Sequence, residues 1–262
     1  MTAQVSGPGS ASTDSLRPFA LCDGVLGLFT GRVGGCSSDP FGTLNLSYSV
    51  GDDPASVTRN RNQLLQAIGP GPGRLAWMRQ VHGIAVARAA PDSAAQGSSD
   101  PDPEADALFT DSPAVAVGAL AADCAPVLIA DPVAGLVGAA HAGRAGMEAG
   151  VVAALVAAMS LAGADPSRMH AAIGPAICGQ CYEVPAVLRD QVAAAVPESA
   201  CSTRQGTPGI DIRAGVLAQL TRLGVSAVSA DDRCTAESGE LYSYRRDGRT
   251  GRFAGLIWLA PR

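Results

Sequence analysis

AADCAPVLIADPVAGLVGAAHAGRAG, residues 121–146, decides how this chain is read. Two apolar runs, PVLIA (126–130) and GLVGAAH (135–141), read as strands, and DPVAG (131–135) between them carries the Asp, Pro and Gly of a tight turn. The stretch is therefore a hairpin. Into it the sequence sets one thiol, Cys124, and one imidazole, His141, seventeen residues apart and each at a strand end. Three roles fit such a pair: packing residues, a Cys–His nucleophile, or two ligands of a metal.

Outward from the hairpin, strand-like runs recur at 21–30, 74–81, 84–90, 114–122 and 252–260. Between them lie helical patterns. One opens at Asp53 with Pro54 in its first position and stops at Gly69; others cover 144–161, 185–196 and 211–223. In the last, Ile212, Val216, Leu220 and Leu223 share a face, and Gly224 closes it. The polar segment 91–106 reads as a surface loop, because strand-like sequence resumes directly after it. No repeat is visible. The pattern predicts an α+β fold: a single domain of layered mixed β-sheets flanked by helices over 19–262, after a disordered lead-in at 1–18.

Composition narrows the function. Hydrophobic residues make up 47% of the 262, enough for a substantial core. A net charge of −5 without a basic block argues against nucleic-acid binding. The first residues lack the basic and apolar regions of a secretory signal, and 145–164 is too rich in Ala and Gly for a membrane span. Seven cysteines without a signal suit reduced thiols, so a cytoplasmic protein is expected, with any special cysteine serving metal or catalysis.

Of the three histidines, His82 in RQVHG and His141 in GAAHAG follow strand-like runs and precede glycine-bearing turns. With Cys124 they make two imidazoles and one thiolate, which leaves a fourth position open as in catalytic zinc sites. A buried cysteine with two hydrogen-bonded histidines is the plain alternative. Asp123 would face away from Cys124 on an extended backbone, as a structural acceptor. The glycines of HAGRAG free backbone N–H groups for an anion, or simply allow close helix packing. Cys178-Gly-Gln-Cys181 has no second CxxC and no preceding H-x-E, so it reads as two incidental thiols. The arginine-rich run 243–252 is either a solvated hairpin tip or an anion-reading edge.

Taken in order, TGRVGGCSSDPFGTLNLS, NRNQL, RQVHG, DALFTD, ADCAPVLIAD, HAGRAG, IGPAICGQCYEV, DIRAGVLAQL, DRCTA and YSYRRDGRTGRFAGLIWL resemble the laccase-domain, or polyphenol-oxidase-like, family. The resemblance implies a zinc-dependent purine nucleoside phosphorylase with adenosine deaminase activity. It implies substrates drawn from adenosine, inosine, guanosine and methylthioadenosine with phosphate, and no nucleic-acid or membrane partner. It implies Zn2+ on His82, Cys124 and His141, which would be the catalytic residues, with copper bound only adventitiously. It also implies a fold shared distantly with a Cys–His toxin deamidase, which keeps a Cys124–His141 hydrolase open, as it does a non-catalytic member. The family usually reads HAGWRG where this chain has Arg144 and Ala145. Arg144 is therefore one expected anion contact, and Arg32 in TGRVGG another. Three histidines cannot furnish several copper centres, so multicopper oxidase chemistry is not expected.

Overall fold

Asp131 closes the central hairpin. Its Oδ1 accepts from the N–H groups of Val133 and Ala134, and Gly135 takes φ +64° to return the chain. The computed structural model, which describes residues 16–69, 71–91 and 102–261, runs β1 (Phe19–Cys22), β2 (Val25–Phe29), α1 (Pro54–Ala67), β3 (Arg74–Ala76), β4 (Val86–Arg88), β5 (Ala107–Thr110), β6 (Val115–Ala121), β7 (Ala125–Asp131) and β8 (Leu136–Ala142). It continues through α2 (Arg144–Ala149), α3 (Val151–Leu161), β9 (His170–Ile173), α4 (Ala186–Ala195), β10 (Ala200–Ser202), β11 (Pro208–Ile210), α5 (Ile212–Arg222), β12 (Ala227–Ala230), α6 (Tyr244–Asp247) and β13 (Phe253–Leu259).

Two mixed sheets result. One has the order β1-β2-β13-β6-β3, the other β12-β9-β7-β8-β5-β4, and β10 and β11 form a separate two-stranded ribbon. Strand periodicity distributes the core among layers. In β7, Val127 and Ile129 join a cluster with Leu155, Met159 and Val216 of the covering helices. Leu128 and Ala130 point the other way, into a cluster with Val117, Ala119 and Ile257 of the facing sheet. Leu256 and Trp258 of β13 face outward again, onto Leu64 of α1 and Trp77. Helices thus cover both outer faces, which is why the central strands read as unbroken apolar runs. The architecture is the α+β domain of mixed sheets that the sequence predicts.

Several local readings change. The apolar run 21–30 is two strands, folded back at Gly24 with φ +71°. The helical run 144–161 is two helices, broken where Gly150 takes φ +92°. Of 74–81 only the first three residues form a continuous strand; Arg79 makes an isolated bridge to Glu104, and beyond it the N–H groups of Val81, His82 and Gly83 bind a carboxylate. Strands β9 and β12 are four residues each and were not read from the sequence, while β5 is the strand-like run that resumes after the polar segment. Of the expected lead-in, residues 1–15 lie outside the described residues, while Leu16 packs against the layer holding Leu64 and Trp258. Residues 92–101 of the expected surface loop also lie outside them.

Between the sheets, the ring of Phe29 and that of Pro126 leave no room for side chains at two glycines. A Cβ at Gly255 would sit 2.7 Å from Pro126 Cβ and 3.1 Å from Phe29, and one at Gly174 would sit 2.5 Å from Phe29. Gly255→Ala therefore overpacks two rigid rings and should cost about 1–3 kcal/mol. The urea midpoint measures it, and an unchanged midpoint would mean that the sheets separate there without cost.

Candidate metal centre and cavity

The hairpin register explains the spacing of the first two candidates. His141 lies opposite Pro126, and Ala125 opposite Ala142, so Cys124 falls one step beyond β7 on the same face as His141. The next position on the other strand is Gly143. A Cβ there would meet Cys124 Sγ at 2.9 Å and His82 Cδ2 at 2.8 Å, so only glycine lets the third residue reach the pair. His82 arrives from the loop after β3, with φ +62°.

One carboxylate fixes this arrangement. Asp106, fully buried just before β5, accepts on Oδ1 from His82 N–H at 3.0 Å and on Oδ2 from Val81 and Gly83 N–H at 3.2 and 2.6 Å. Three successive amides around an anion form a nest. The same Oδ1 lies 2.9 Å from His141 Nδ1, and the Asp106 carbonyl accepts from His141 N–H. An imidazole that donates through Nδ1 presents Nε2 as a lone pair.

The three side chains converge. One donor atom from each of His82, Cys124 and His141 lies within 4.8 Å of the others; Cys124 Sγ is 3.9 Å from His82 Nε2, and the two imidazoles stand edge to face. Thiol and imidazole shift each other's ionisation. Burial opposes ionisation of Cys124, but His141 and His82 outweigh it and bring the thiol from 9.0 down to about 6. Burial likewise opposes the His141 cation, yet the Cys124 sulfur and Asp106 raise it from 6.5 to about 9. Asp106 stays below the usual carboxylate range despite burial, held by His141 and by Gly83 N–H.

His82, Cys124 and His141 line a cavity of about 960 Å³. Its wall carries Arg61, Arg79, Arg144, Arg245 and Arg252 against Asp102 and Asp123, and three tyrosines, Tyr48, Tyr182 and Tyr244. Arg61 is buried between the Tyr48 and Trp77 rings with Nε on the Leu46 carbonyl, and desolvation lowers its pKa to about 10. Arg144, first residue of α2, pairs with Glu148 at 3.2 Å. Arg32 is elsewhere: its guanidinium holds the Gly42 carbonyl and Asp247 and stacks on Tyr242, and it does not line the cavity.

Residues 243–252 divide their labour. Arg245 and Arg252 face the cavity, while Arg246 is spent on the carbonyls of Thr235, Ser238 and Leu241 and on Asp247, and Arg249 on Gly51. Asp123 is an acceptor, as expected, for Thr235 Oγ1 and Arg245 N–H, but from a φ of +97° and not from extended backbone. Three contributors escaped sequence reasoning. Asp106 stood in DALFTD, where an acid just ahead of an apolar strand was the only signal; Arg61 stood in NRNQL with none; and Gly143 was legible only once the hairpin register was known.

Known proteins resemble this chain over most of its length. A protein of Streptomyces griseus named purine nucleoside phosphorylase is 52% identical over 88% of this chain and 93% of its own length. One of Mycobacterium tuberculosis with the same name is 46% identical over 88% and 90%. Among solved structures, YlmD from Geobacillus stearothermophilus superposes with a TM-score of 0.84 at 32% identity, over 92% of this chain and 94% of that one. A protein of Neisseria meningitidis gives 0.80 at 36%, over 92% and 96%. Residues 27–260 match the family model described as multi-copper polyphenol oxidoreductase laccase, and the chain belongs to that family.

Proposed function

We propose that residues 19–262 form one zinc-dependent catalytic unit that cleaves purine nucleosides with phosphate and also deaminates adenosine. The observation that carries this reading is the convergence of His82, Cys124 and His141 at an arginine-lined cavity. Two imidazoles, one thiol of lowered pKa and a His141 ring oriented through Nδ1 suit zinc, which when bound supplies Lewis-acid polarisation of an oxygen nucleophile. The relatives named purine nucleoside phosphorylase supply the substrate class.

The rest of the chemistry falls to the chain's own groups. The protein is net acidic, yet the guanidinium groups of its cavity wall outnumber the carboxylates, so the local field favours a phosphate dianion. Arg144 and Arg252 take the anion-holding role in place of Arg32. Tyr48, Tyr182 and Tyr244 offer rings for a flat purine. In phosphorolysis a phosphate oxygen bonds to ribose C1′, the C1′–N9 bond breaks with its electron pair on the base, and the base gains a proton. Ribose 1-phosphate and free purine result. In deamination, water replaces the 6-amino group and ammonia leaves.

A multicopper oxidase is not supported, because His170, the remaining histidine, begins β9 and is no part of the cluster. A Cys–His hydrolase draws on the lowered Cys124 and raised His141, but it gives His82 no task. Chelation separates the two: zinc-dependent activity disappears with a chelator and returns with zinc, whereas a thiolate nucleophile ignores the chelator and forms an adduct through Cys124.

Incubated with adenosine, zinc-loaded protein should yield inosine without phosphate, and ribose 1-phosphate only with it. His82→Ala should lose both activities. Arg144→Ala or Arg252→Ala should raise the KM for phosphate about 10–100-fold, the loss of one charge-assisted hydrogen bond. No product from adenosine, inosine, guanosine or methylthioadenosine would end the proposal.

The metal-free protein gives a pH test. Alkylation of Cys124 should rise through about pH 6 instead of near 9, and zinc should suppress it. Asp106→Asn replaces the carboxylate facing His141 Nδ1 with a neutral amide, a weaker acceptor that makes the ring a less basic ligand. Zinc affinity should fall about 10–100-fold, read by competition with a chromophoric chelator. An unchanged affinity would leave Asp106 with only a backbone role.

A further inference from the structure

The CxxC of this chain is not isolated. Cys178 and Cys181 flank a tight turn in which the N–H groups of Cys181 and Tyr182 both reach the Cys178 carbonyl at 3.0 Å. Against it lies a second turn, 234–238, where Glu237 and Ser238 N–H return to the Cys234 carbonyl. The two are joined by backbone pairing of Ala176 with Cys234 and by the Cys178 N–H, which points at Cys234 Sγ from 3.3 Å. Cys234 is buried, and the other two thiols are half-buried. One donor atom each from Cys178, Cys181, Cys234 and Glu237 lies within 4.8 Å of all the rest.

We propose that these four residues form a second metal site, for zinc or a similarly thiophilic divalent cation, sharing no ligand with the His82–Cys124–His141 centre. Four protein donors leave no open position, which is the composition of a structural site. A tetrahedron with zinc–sulfur bonds of about 2.3 Å separates sulfurs by about 3.8 Å, and the donor atoms here all lie within 4.8 Å of one another. Binding displaces the three thiol protons to solvent, and each sulfur becomes a thiolate ligand. The Cys178 N–H already donates toward a sulfur, as thiolate ligands require. Glu237 also pairs with Arg204 at 2.6 Å, and a carboxylate can hold that cation on one oxygen while offering the other to a metal.

The site would brace the cavity from behind. Ile177 and Tyr182, beside the first turn, line the cavity. Thr235, next to Cys234, donates to Asp123, whose neighbour Cys124 belongs to the other centre. Arg246 binds the Thr235 and Ser238 carbonyls of the second turn. A metal clamping the two turns would fix Ile177 and Tyr182 of the cavity wall against the turn whose Thr235 holds Asp123.

Zinc titrated into reduced, metal-free protein separates the two centres. Wild type should take up two equivalents and the Cys124→Ala, His141→Ala variant one. Adding Cys181→Ser and Cys234→Ser should abolish that one. A single equivalent in wild type and none in the first variant overturns the proposal, whereas one equivalent lost only with Cys181 and Cys234 would remove the other centre instead. If the serine variant does not fold, wild type alone decides. With two equivalents of zinc, Cys178, Cys181 and Cys234 should resist iodoacetamide while exposed Cys36 reacts. Equal labelling with and without zinc, or recovery of two of the three as a disulfide that zinc does not prevent, overturns it.

Discussion

A carboxylate with no access to water governs this molecule's chemistry. Asp106 accepts three consecutive backbone amides from the turn that presents His82, and it faces Nδ1 of His141. A buried anion left without such partners would cost several kcal/mol, so the turn and the imidazole are mutually required. The constraint also reaches the fold. Because amides 81–83 serve the carboxylate, they are not available to a neighbouring strand, and the chain turns at His82 with φ +62°. His82 is thereby lifted out of the sheet toward the hairpin that carries Cys124 and His141.

The hairpin supplies the other half of the geometry. Its register, fixed by the turn at Asp131, sets Cys124 and His141 on one face at one sheet end. A one-residue slip would turn both toward the covering helices, into the cluster of Val127 and Ile129. Burial of β7 on both faces, with Leu128 in one layer and Ile129 in another, opposes any such slip. The stability of the core and the placement of the donors are thus one requirement.

How much of this was legible in the sequence follows from range. The hairpin, α1, α4 and α5 were readable because turn residues, Asp caps and apolar periodicity are local signals, and Asp53 and Asp211 do cap their helices. His82, Cys124 and His141 could be grouped by residue type and strand-end position, but only motif resemblance singled them out, since 42 residues separate Cys124 from His82 and no spacing rule spans them. Asp106 and Cys234 were invisible as partners for the same reason. Asp106 acts through strands paired across the sheet, and Cys234 reaches Cys178 from 56 residues away. Gly150 was misread because glycine inside an Ala-rich run looks helical until its positive φ is known.

The Arg144–Ala145 pair raises a last physical question, since the family resemblance led one to expect Trp followed by Arg. Adjacent helical positions differ by about 100° of rotation, which would normally carry a shifted guanidinium off its target. Here α2 is short and begins at the cavity rim, and both Arg144 and Ala145 line the wall. The positive charge therefore stays in the cavity although its attachment moves by one residue. What changes is bulk: an indole is lost, and a flexible cation tied to Glu148 occupies its place. Glu148 draws that cation along the helix, so a dianion entering the cavity would compete with one carboxylate for Arg144, while Arg252 Nη1 donates to the Thr250 and Gly251 carbonyls. The stronger anion contact should then be the one at Arg252, whose burial already depresses its pKa and which gains most from a negative partner.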